Sequence, residues 1–285
     1  MTGQETPILI DCAGERLVGL LHRPPDMAPA KPLGVLIPVG GPTYRIGAAR
    51  QYVVLARTLA QAGYATLRFD YRGVGDGTGA YPGLDGIGPD LSAAIAAFQQ
   101  AYPHIQGIVP WGLCEAASAI LIHGPDLPNI AGAVLANPWL DDETAQARGM
   151  IRQHYGKRLS SWQFWRKLLT GGVNAPAAVS GLWATWRRSR AAPQGFDARL
   201  GVRMAAGLDR FDRPLLCLLS TADDTATAFD DALTHRPEWR QARAGSNLAL
   251  AKISDADHVF TEACWRQAVA RETIAFLDRL SAASS

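Results

Sequence analysis

The sequence predicts an α/β fold whose mostly parallel sheet has eight strands and is flanked by helices. Two observations lead to this prediction. Apolar, β-rich runs alternate with helical runs along most of the 285 residues, and such alternation is typical of right-handed crossovers between parallel strands. Between residues 139 and 213 the alternation stops, and the pattern is helical, basic and rich in Trp. We therefore expect one domain formed by residues 1–138 and 214–285, with residues 139–213 inserted as a helical lid between late strands.

The first half of the chain contains a hairpin followed by strands that alternate with helices. Pro7–Asp11 and Arg16–His22 are typical of an antiparallel hairpin. Leu33–Val39 (LGVLIPV) is a continuous apolar run, as expected of a strand that helices cover on both faces. The elements that follow are helix Ala48–Gln61, strand Ala65–Phe69, helix Gly86–Tyr102, strand Ile105–Trp111, helix Glu115–His123 and strand Ile130–Ala136.

The alternation resumes after the lid. The predicted elements are strand Leu215–Leu219, helix Phe229–Ala244, strand Leu248–Ile253 and helix Glu262–Leu280. Because the carboxyl ends of parallel strands meet at one edge of a sheet, the loops that follow these strands are expected to lie together. The lid is expected over that edge.

The composition excludes several classes of protein. Hydrophobic residues make up 48% of the chain and charged residues 19%, which is typical of a globular protein. A formal net charge of +2 argues against a nucleic-acid binder. The four cysteines are scattered, so we expect neither a zinc site nor a disulfide framework, and a reducing cytoplasm is the simplest compartment. We find no cofactor motif, no signal-peptide pattern and no apolar run long enough for a membrane helix.

A candidate nucleophile, Cys114, follows a buried strand and opens a helix. The segment Trp111–Ser118 (WGLCEAAS) has the pattern G-x-C-x-A, and in this context it predicts a nucleophile elbow. The positive end of the helix dipole favours the thiolate, which is the reactive form of cysteine. On composition alone Cys114 would be interpreted as a small buried hydrophobic residue, as most free cysteines are. Its position between strand and helix favours the catalytic interpretation.

The base and the acid are expected in the loops after later strands. His258 follows the last predicted strand and lies in a polar loop at the same edge as Cys114. The acid should follow the preceding strand, where Asp223 is preferred and Asp224 is the alternative. One member of that pair is expected to be only a turn or cap residue. A further alternative is Asp141 or Asp142, which follow the strand before the lid.

An oxyanion hole needs backbone N–H donors beside the nucleophile. The N–H of Glu115, the residue after Cys114, is one candidate. The N–H of Gly41 is the other, because Pro42 in the same loop has none. An ordinary glycine turn would show the same pattern. In a second glycine-containing loop after the next strand, Asp70 and Arg72 are expected to pair and hold the loop beside the site.

These motifs resemble those of the α/β-hydrolase superfamily, and in particular the first exosortase A system-associated hydrolase family. The resemblance covers about residues 7–280 and rests on Gly40–Tyr52 (GGPTYRIGAARQY), Phe69–Gly77 (FDYRGVGDG), Trp111–Ile120 (WGLCEAASAI), Ser220–Phe229 (STADDTATAF) and Asp257–Phe260 (DHVF). It implies a Cys-His-Asp hydrolase in bacteria that assemble exopolysaccharide and sort proteins with exosortase. Two departures are Ala116, which replaces the second elbow glycine, and Val39, where many relatives have His.

Three functions are compatible with these residues. The first is a hydrolase that attacks an ester or thioester and forms a thioester acyl-enzyme on Cys114. The second is an acyltransferase that passes the acyl group to an alcohol, amine or thiol, and the third is a binding protein without turnover. A lactone substrate, as in dienelactone hydrolases, is a weaker variant of the first. Candidate substrate-binding residues are Tyr44, Arg45, Trp139, Trp162 and Trp165, although the lid tryptophans could equally pack the lid on the core.

The near-neutral charge conceals a local imbalance. Residues 142–190 contain nine Lys or Arg and two acids, a formal charge of +7 that leaves −5 for the rest of the chain. A basic run is usually a solvated helix face. Here it lies on the predicted lid, so we expect it to contact an anionic substrate carrier, a polysaccharide or a membrane surface.

Overall fold

A computed structural model describes residues 5–25, 31–40, 43–140 and 199–283. The strands are β1 Glu5–Cys12, β2 Glu15–His22, β3 Leu33–Pro38, β4 Thr66–Phe69, β5 Gly107–Leu113, β6 Ala133–Ala136, β7 Leu215–Ser220 and β8 Leu248–Ile253. They form one sheet in the order β1-β2-β4-β3-β5-β6-β7-β8. The pairs β1–β2 and β2–β4 are antiparallel and the other pairs are parallel, so the predicted eight-stranded, mostly parallel sheet is confirmed.

The helices predicted over Ala48–Gln61, Gly86–Tyr102, Glu115–His123 and Glu262–Leu280 lie close to their predicted positions. The helices are α1 Gln51–Gln61, α2 Gly83–Gly86, α3 Gly88–Ala101, α4 Glu115–His123, α5 Arg199–Arg210, α6 Asp224–His235, α7 Pro237–Gly245 and α8 Ala263–Ala283. The single helix predicted over Phe229–Ala244 is instead α6 and α7. The helix is interrupted there because Arg236, which precedes Pro237, has extended backbone. Proline disfavours the helical conformation in the residue before it. No helix within the described ranges is long and apolar enough to cross a bilayer.

Both faces of the sheet are buried, which explains the unbroken apolar run of β3. Val35 and Ile37 belong to the cluster formed with α1 and α8, whereas Leu36 belongs to the cluster formed with α3. Alternate residues of one strand thus fill two cores, and each position must be apolar. The result is a rigid sheet from whose carboxyl edge the functional loops project.

Helix α5 lies in the part of the chain assigned from the sequence to the lid. From Val202 onward, however, it belongs to the same compact unit as the sheet, and its residues Met204 and Leu208 are fully buried. The core therefore resumes about one helix before residue 214, the predicted boundary. An amphipathic helix has the same 3.6-residue periodicity whether it covers a core or forms an insertion, so the pattern could not place this boundary. Residues 141–198, the remainder of the predicted lid, lie outside the described residues.

Candidate active site

Cys114 lies in the turn between β5 and α4. Its backbone has φ 58° and ψ −122°, a conformation that a residue with a side chain adopts only under strain. The turn is tight, because a Cβ added at Gly112 would lie 2.6 Å from the carbonyl carbon of Ala116. The Cys114 N–H donates to the carbonyl of Ala136, at the end of β6, at 3.0 Å. This geometry is that of a nucleophile elbow, and it leaves Cys114 half-buried at the start of a helix.

His258 and Asp223 contact each other at the same edge of the sheet. His258 Nδ1 lies 2.8 Å from Asp223 Oδ2. Asp223 is also the N-cap of α6, where its carboxylate accepts from the N–H of Thr225 at 3.2 Å and of Ala226 at 3.0 Å. One residue thus serves both as cap and as the partner of the imidazole. Asp224, the alternative acid, has no hydrogen bond to His258 in the described part of the chain, and Asp141 and Asp142 lie outside it.

The surroundings of His258 favour its protonated form. Burial of the ring opposes protonation, but hydrogen bonds to Asp223 and Cys114, together with the charges of both groups, outweigh burial and raise the pKa of His258 to about 10. Because Nδ1 is occupied by Asp223, Nε2 is the nitrogen left for the sulfur. At neutral pH the site therefore presents an imidazolium to the sulfur of Cys114.

The loop that carries His258 is held by its own acidic residue. Asp257 accepts from the N–H of Val259 at 3.1 Å and of Thr261 at 3.0 Å. A second anchor of this loop is Asn137, which was not among the residues predicted from the sequence. It follows β6 and donates to the main-chain carbonyl of His258. The sequence feature that could have indicated Asn137 is its position. It is a polar residue directly after a buried strand, at the same edge as the nucleophile.

The predicted oxyanion donors are described only in part. Glu115 is the first residue of α4, so the helix provides no acceptor for its N–H. Gly41 lies outside the described residues, but its neighbour Gly40 touches the elbow, since a Cβ there would lie 2.5 Å from the carbonyl oxygen of Leu113. The Glu115 carboxylate accepts a hydrogen bond from Tyr81, and burial together with this bond raises the pKa of Tyr81. Tyr81 is therefore a hydrogen-bond donor that fixes the Glu115 side chain beside Cys114.

Tyr44 and Arg45, two of the candidate substrate-binding residues, are engaged by neighbouring acids. Arg45 forms ion pairs with the buried Asp70 and with Asp76, the second at 2.7 Å. The Tyr44 hydroxyl donates to Asp76 at 2.6 Å, and the Arg45 guanidinium lies 4.5 Å from the centre of the Tyr44 ring. The single positive charge of Arg45 thus faces two carboxylates. These contacts hold the loop after β3, and a role in substrate binding stays a prediction.

The expected pairing of Asp70 with Arg72 is wrong. Arg72 forms its ion pair with the fully buried Asp90 of α3 at 2.7 Å, and its backbone N–H also donates to that carboxylate at 2.9 Å. Asp70 instead accepts from the N–H of Arg45 at 2.8 Å. Arg72 already lies in the turn that follows β4, so the two side chains find their partners on different elements. Both pairs still hold the loop that follows β4.

The remaining candidates differ in how far the structure describes them. Trp139 is half-buried, its N–H lies 3.4 Å from the Cys114 carbonyl, and its carbonyl accepts from the Ser118 hydroxyl at 2.6 Å. Its backbone is thus adjacent to the elbow. Trp162 and Trp165, together with the basic residues between 142 and 190, lie outside the described residues. Among the residues that are described, no group of three or more His, Cys, Asp or Glu could hold a metal ion.

Comparisons with known proteins establish the fold. No family model and no curated protein match the chain. Among solved structures, an esterase from Pyrococcus furiosus is 18% identical with a TM-score of 0.64, over 97% of this chain and 91% of that one. A dienelactone hydrolase from Anabaena variabilis is 15% identical with a TM-score of 0.60, over 98% and 99%. An α/β serine hydrolase homologue from Coxiella burnetii is 16% identical with a TM-score of 0.59, over 95% and 98%. The chain therefore has the α/β-hydrolase fold.

Proposed function

We propose that this α/β-hydrolase fold is an enzyme that hydrolyses an ester or thioester through Cys114, His258 and Asp223. The observation that carries the proposal is the hydrogen-bonded series at the elbow, in which Asp223 binds Nδ1 of His258 and His258 faces the strained Cys114. A nucleophile, a base and a group that orients the base are the parts that covalent acyl chemistry requires. A pure binding protein would need none of them in this arrangement.

Acylation begins with a thiolate and an imidazolium. The Cys114 sulfur attacks the carbonyl carbon, and the carbonyl oxygen becomes an oxyanion that the N–H of Glu115 and, as predicted from the sequence, that of Gly41 stabilise. The tetrahedral intermediate collapses, the bond to the leaving oxygen or sulfur breaks, and His258 gives its proton to that leaving group. A thioester between Cys114 and the acyl group remains, with His258 neutral.

In deacylation the proton moves in the opposite direction, to His258. Neutral His258 accepts a proton from water, whose oxygen attacks the thioester carbonyl. Collapse of the second intermediate releases the carboxylic acid and restores the thiolate and the imidazolium. Asp223 holds the ring in place throughout and stabilises its positive charge whenever it is protonated. An alcohol, amine or thiol that replaced water in this step would make the enzyme an acyltransferase.

The sequence supports a more specific setting for this chemistry. The motifs that resemble exosortase-associated hydrolases support a role in exopolysaccharide metabolism, and the charge of +7 over residues 142–190 supports a substrate on an anionic carrier, a polysaccharide or a membrane surface. A cysteine nucleophile suits the cytoplasm, which keeps thiols reduced.

The test is mass spectrometry of the intact protein after exposure to p-nitrophenyl esters and acyl thioesters of increasing chain length. We expect an acyl adduct that maps to Cys114, survives replacement of the exposed Cys264 by Ala and disappears in Cys114→Ala. Full turnover by Cys114→Ala would refute the proposal. Absence of both adduct and turnover across the panel would favour the binding protein, and an acyl group recovered on added glycerol or amine would identify a transferase.

A further inference from the structure

Asn137 directly follows β6 and is completely buried. Its backbone adopts φ 42°, in the left-handed region that asparagine tolerates better than other residues with side chains. Its N–H donates to the carbonyl of Leu218 in β7 at 3.0 Å, which ties its own backbone to the neighbouring strand. The side chain is therefore presented from a rigid strand end.

Both the oxygen and the nitrogen of the Asn137 side-chain amide form hydrogen bonds. Its Oδ1 accepts from the N–H of Ser220 at 2.8 Å. Its Nδ2 donates to the Ser220 hydroxyl oxygen at 2.9 Å and to the main-chain carbonyl of His258 at 2.9 Å. The Ser220 hydroxyl in turn donates to the carbonyl of Asp257 at 2.8 Å. One buried amide thus joins the ends of β6 and β7 to two consecutive carbonyls of the histidine loop.

No other side chain of this size could make the same set of bonds. The site requires an acceptor for a buried N–H on one side and donors for a hydroxyl and a carbonyl on the other. An aspartate has no donor in its ionised form, and an apolar residue of similar volume has neither. Since it is costly to leave buried backbone groups without hydrogen-bond partners, the loop would move to regain them.

We propose that Asn137 is a positioning residue for His258, acting through the main-chain carbonyl of that histidine. The Cα of His258 lies in a loop between β8 and α8, so no strand or helix hydrogen bonds fix it. The hydrogen bond from Asn137 fixes the position of the His258 main chain. From that position the imidazole contacts Asp223 on one side and Cys114 on the other. This inference rests on the proposed function, because it assigns Asn137 to the reaction of that same site.

The test compares Asn137→Gly with Thr273→Val. Glycine tolerates the backbone angle and removes the whole side chain, including the amide. Thr273 is equally buried, and its hydroxyl oxygen accepts a hydrogen bond from the Trp111 indole N–H at 3.2 Å. This bond does not involve the histidine loop, so Thr273→Val controls for the loss of a buried hydrogen bond. With p-nitrophenyl butyrate we expect Asn137→Gly to lower kcat by about 10- to 100-fold, as displacements near 1 Å do, with KM within about twofold. Thr273→Val should keep the wild-type kcat.

A second measurement separates this inference from the proposed function. The rate at which iodoacetamide alkylates Cys114 at pH 7, relative to the exposed Cys264, reports the imidazolium beside the sulfur without any turnover. We expect Asn137→Gly to lower that ratio about tenfold and Thr273→Val to leave it unchanged. A reactive wild-type Cys114 with an equally reactive Asn137→Gly would overturn the positioning role alone. A wild-type Cys114 no more reactive than Cys264, with no turnover, would overturn the proposed function and this inference with it.

Asn137→Asp provides a variant that keeps the acceptor for Ser220 and loses the donors. We expect its kcat to fall to the level of Asn137→Gly, because the bond to the His258 carbonyl is the one that matters. A wild-type kcat in Asn137→Asp would refute the proposal even if the glycine variant failed to fold.

Discussion

The strained backbone of Cys114 predicts an unusual order of stability for two inactive variants, Cys114→Gly and Cys114→Ala. Glycine adopts φ 58° and ψ −122° without steric penalty, whereas alanine does not. Both variants lose the sulfur and its contact with His258, so that loss cancels when they are compared. Cys114→Gly should therefore be more stable than Cys114→Ala, the reverse of the order at an ordinary position.

The size of the difference follows from two opposing terms. A residue held in such a sparsely populated backbone region costs about 1–3 kcal/mol, and glycine removes that cost. Glycine also loses more backbone freedom on folding than alanine, which costs about 0.5–1 kcal/mol. The expected net advantage of Cys114→Gly is about 0.5–2 kcal/mol, or a few degrees in Tm for a chain of this size.

Equilibrium unfolding in urea, monitored by Trp fluorescence and by circular dichroism, measures this difference. Glu272, which is exposed in the middle of α8, provides the matched comparison because its backbone is helical. There Glu272→Ala should exceed Glu272→Gly in stability by about 1 kcal/mol. A Cys114→Ala variant as stable as or more stable than Cys114→Gly would show that the elbow is not strained.

Three further predictions concern the triad and the loop after β4. Asp223→Asn should lower kcat by about 10²- to 10⁴-fold in steady-state assays, while Asp224→Asn, one residue away, should retain the wild-type value. The pKa of His258 is raised from 6.5 to about 10, so its stabilising effect is complete below pH 6.5 and is lost as the pH rises through 10. The difference in unfolding free energy between wild type and His258→Gln should therefore shrink by about 2 kcal/mol over that range, a value reduced from full linkage because the ring is partly exposed; a gap that widens would contradict it. Asp90→Ala should lower the urea unfolding free energy by about 2 kcal/mol, since it leaves the half-buried guanidinium of Arg72 without its carboxylate, and an unchanged midpoint would contradict this.

Local periodicity predicted most elements and failed where a single residue interrupted it. Helix Glu115–His123 and strand Leu248–Ile253 occur with the predicted bounds. The helix predicted over Phe229–Ala244 is divided at Pro237, whose effect on the preceding residue outweighs the helical pattern on either side. A pattern of apolar residues averages over a window, whereas a proline acts at one bond.

The sequence could predict that Cys114, a late aspartate and His258 converge, because each follows a parallel strand and such strands end at one edge. It preferred Asp223 to Asp224 only by distance from the preceding strand, because the two are neighbours with the same chemistry. The choice depends on the first turn of α6, where Asp223 caps the helix and its carboxylate is directed to His258. A direction in space of this kind is set by packing and not by composition.

By itself, the sequence determined the fold class, the order of the strands along the chain and the candidate nucleophile and base, since these depend on periodicity and on chain order. Only the tertiary structure decided which charged groups pair and what holds the histidine loop. Arg72 pairs with Asp90, 18 residues away, and Asn137 bonds the backbone of His258, 121 residues away. Such contacts arise when separate elements pack together, and a buried amide or carboxylate finds its partner across that packing because leaving it unbonded is costly.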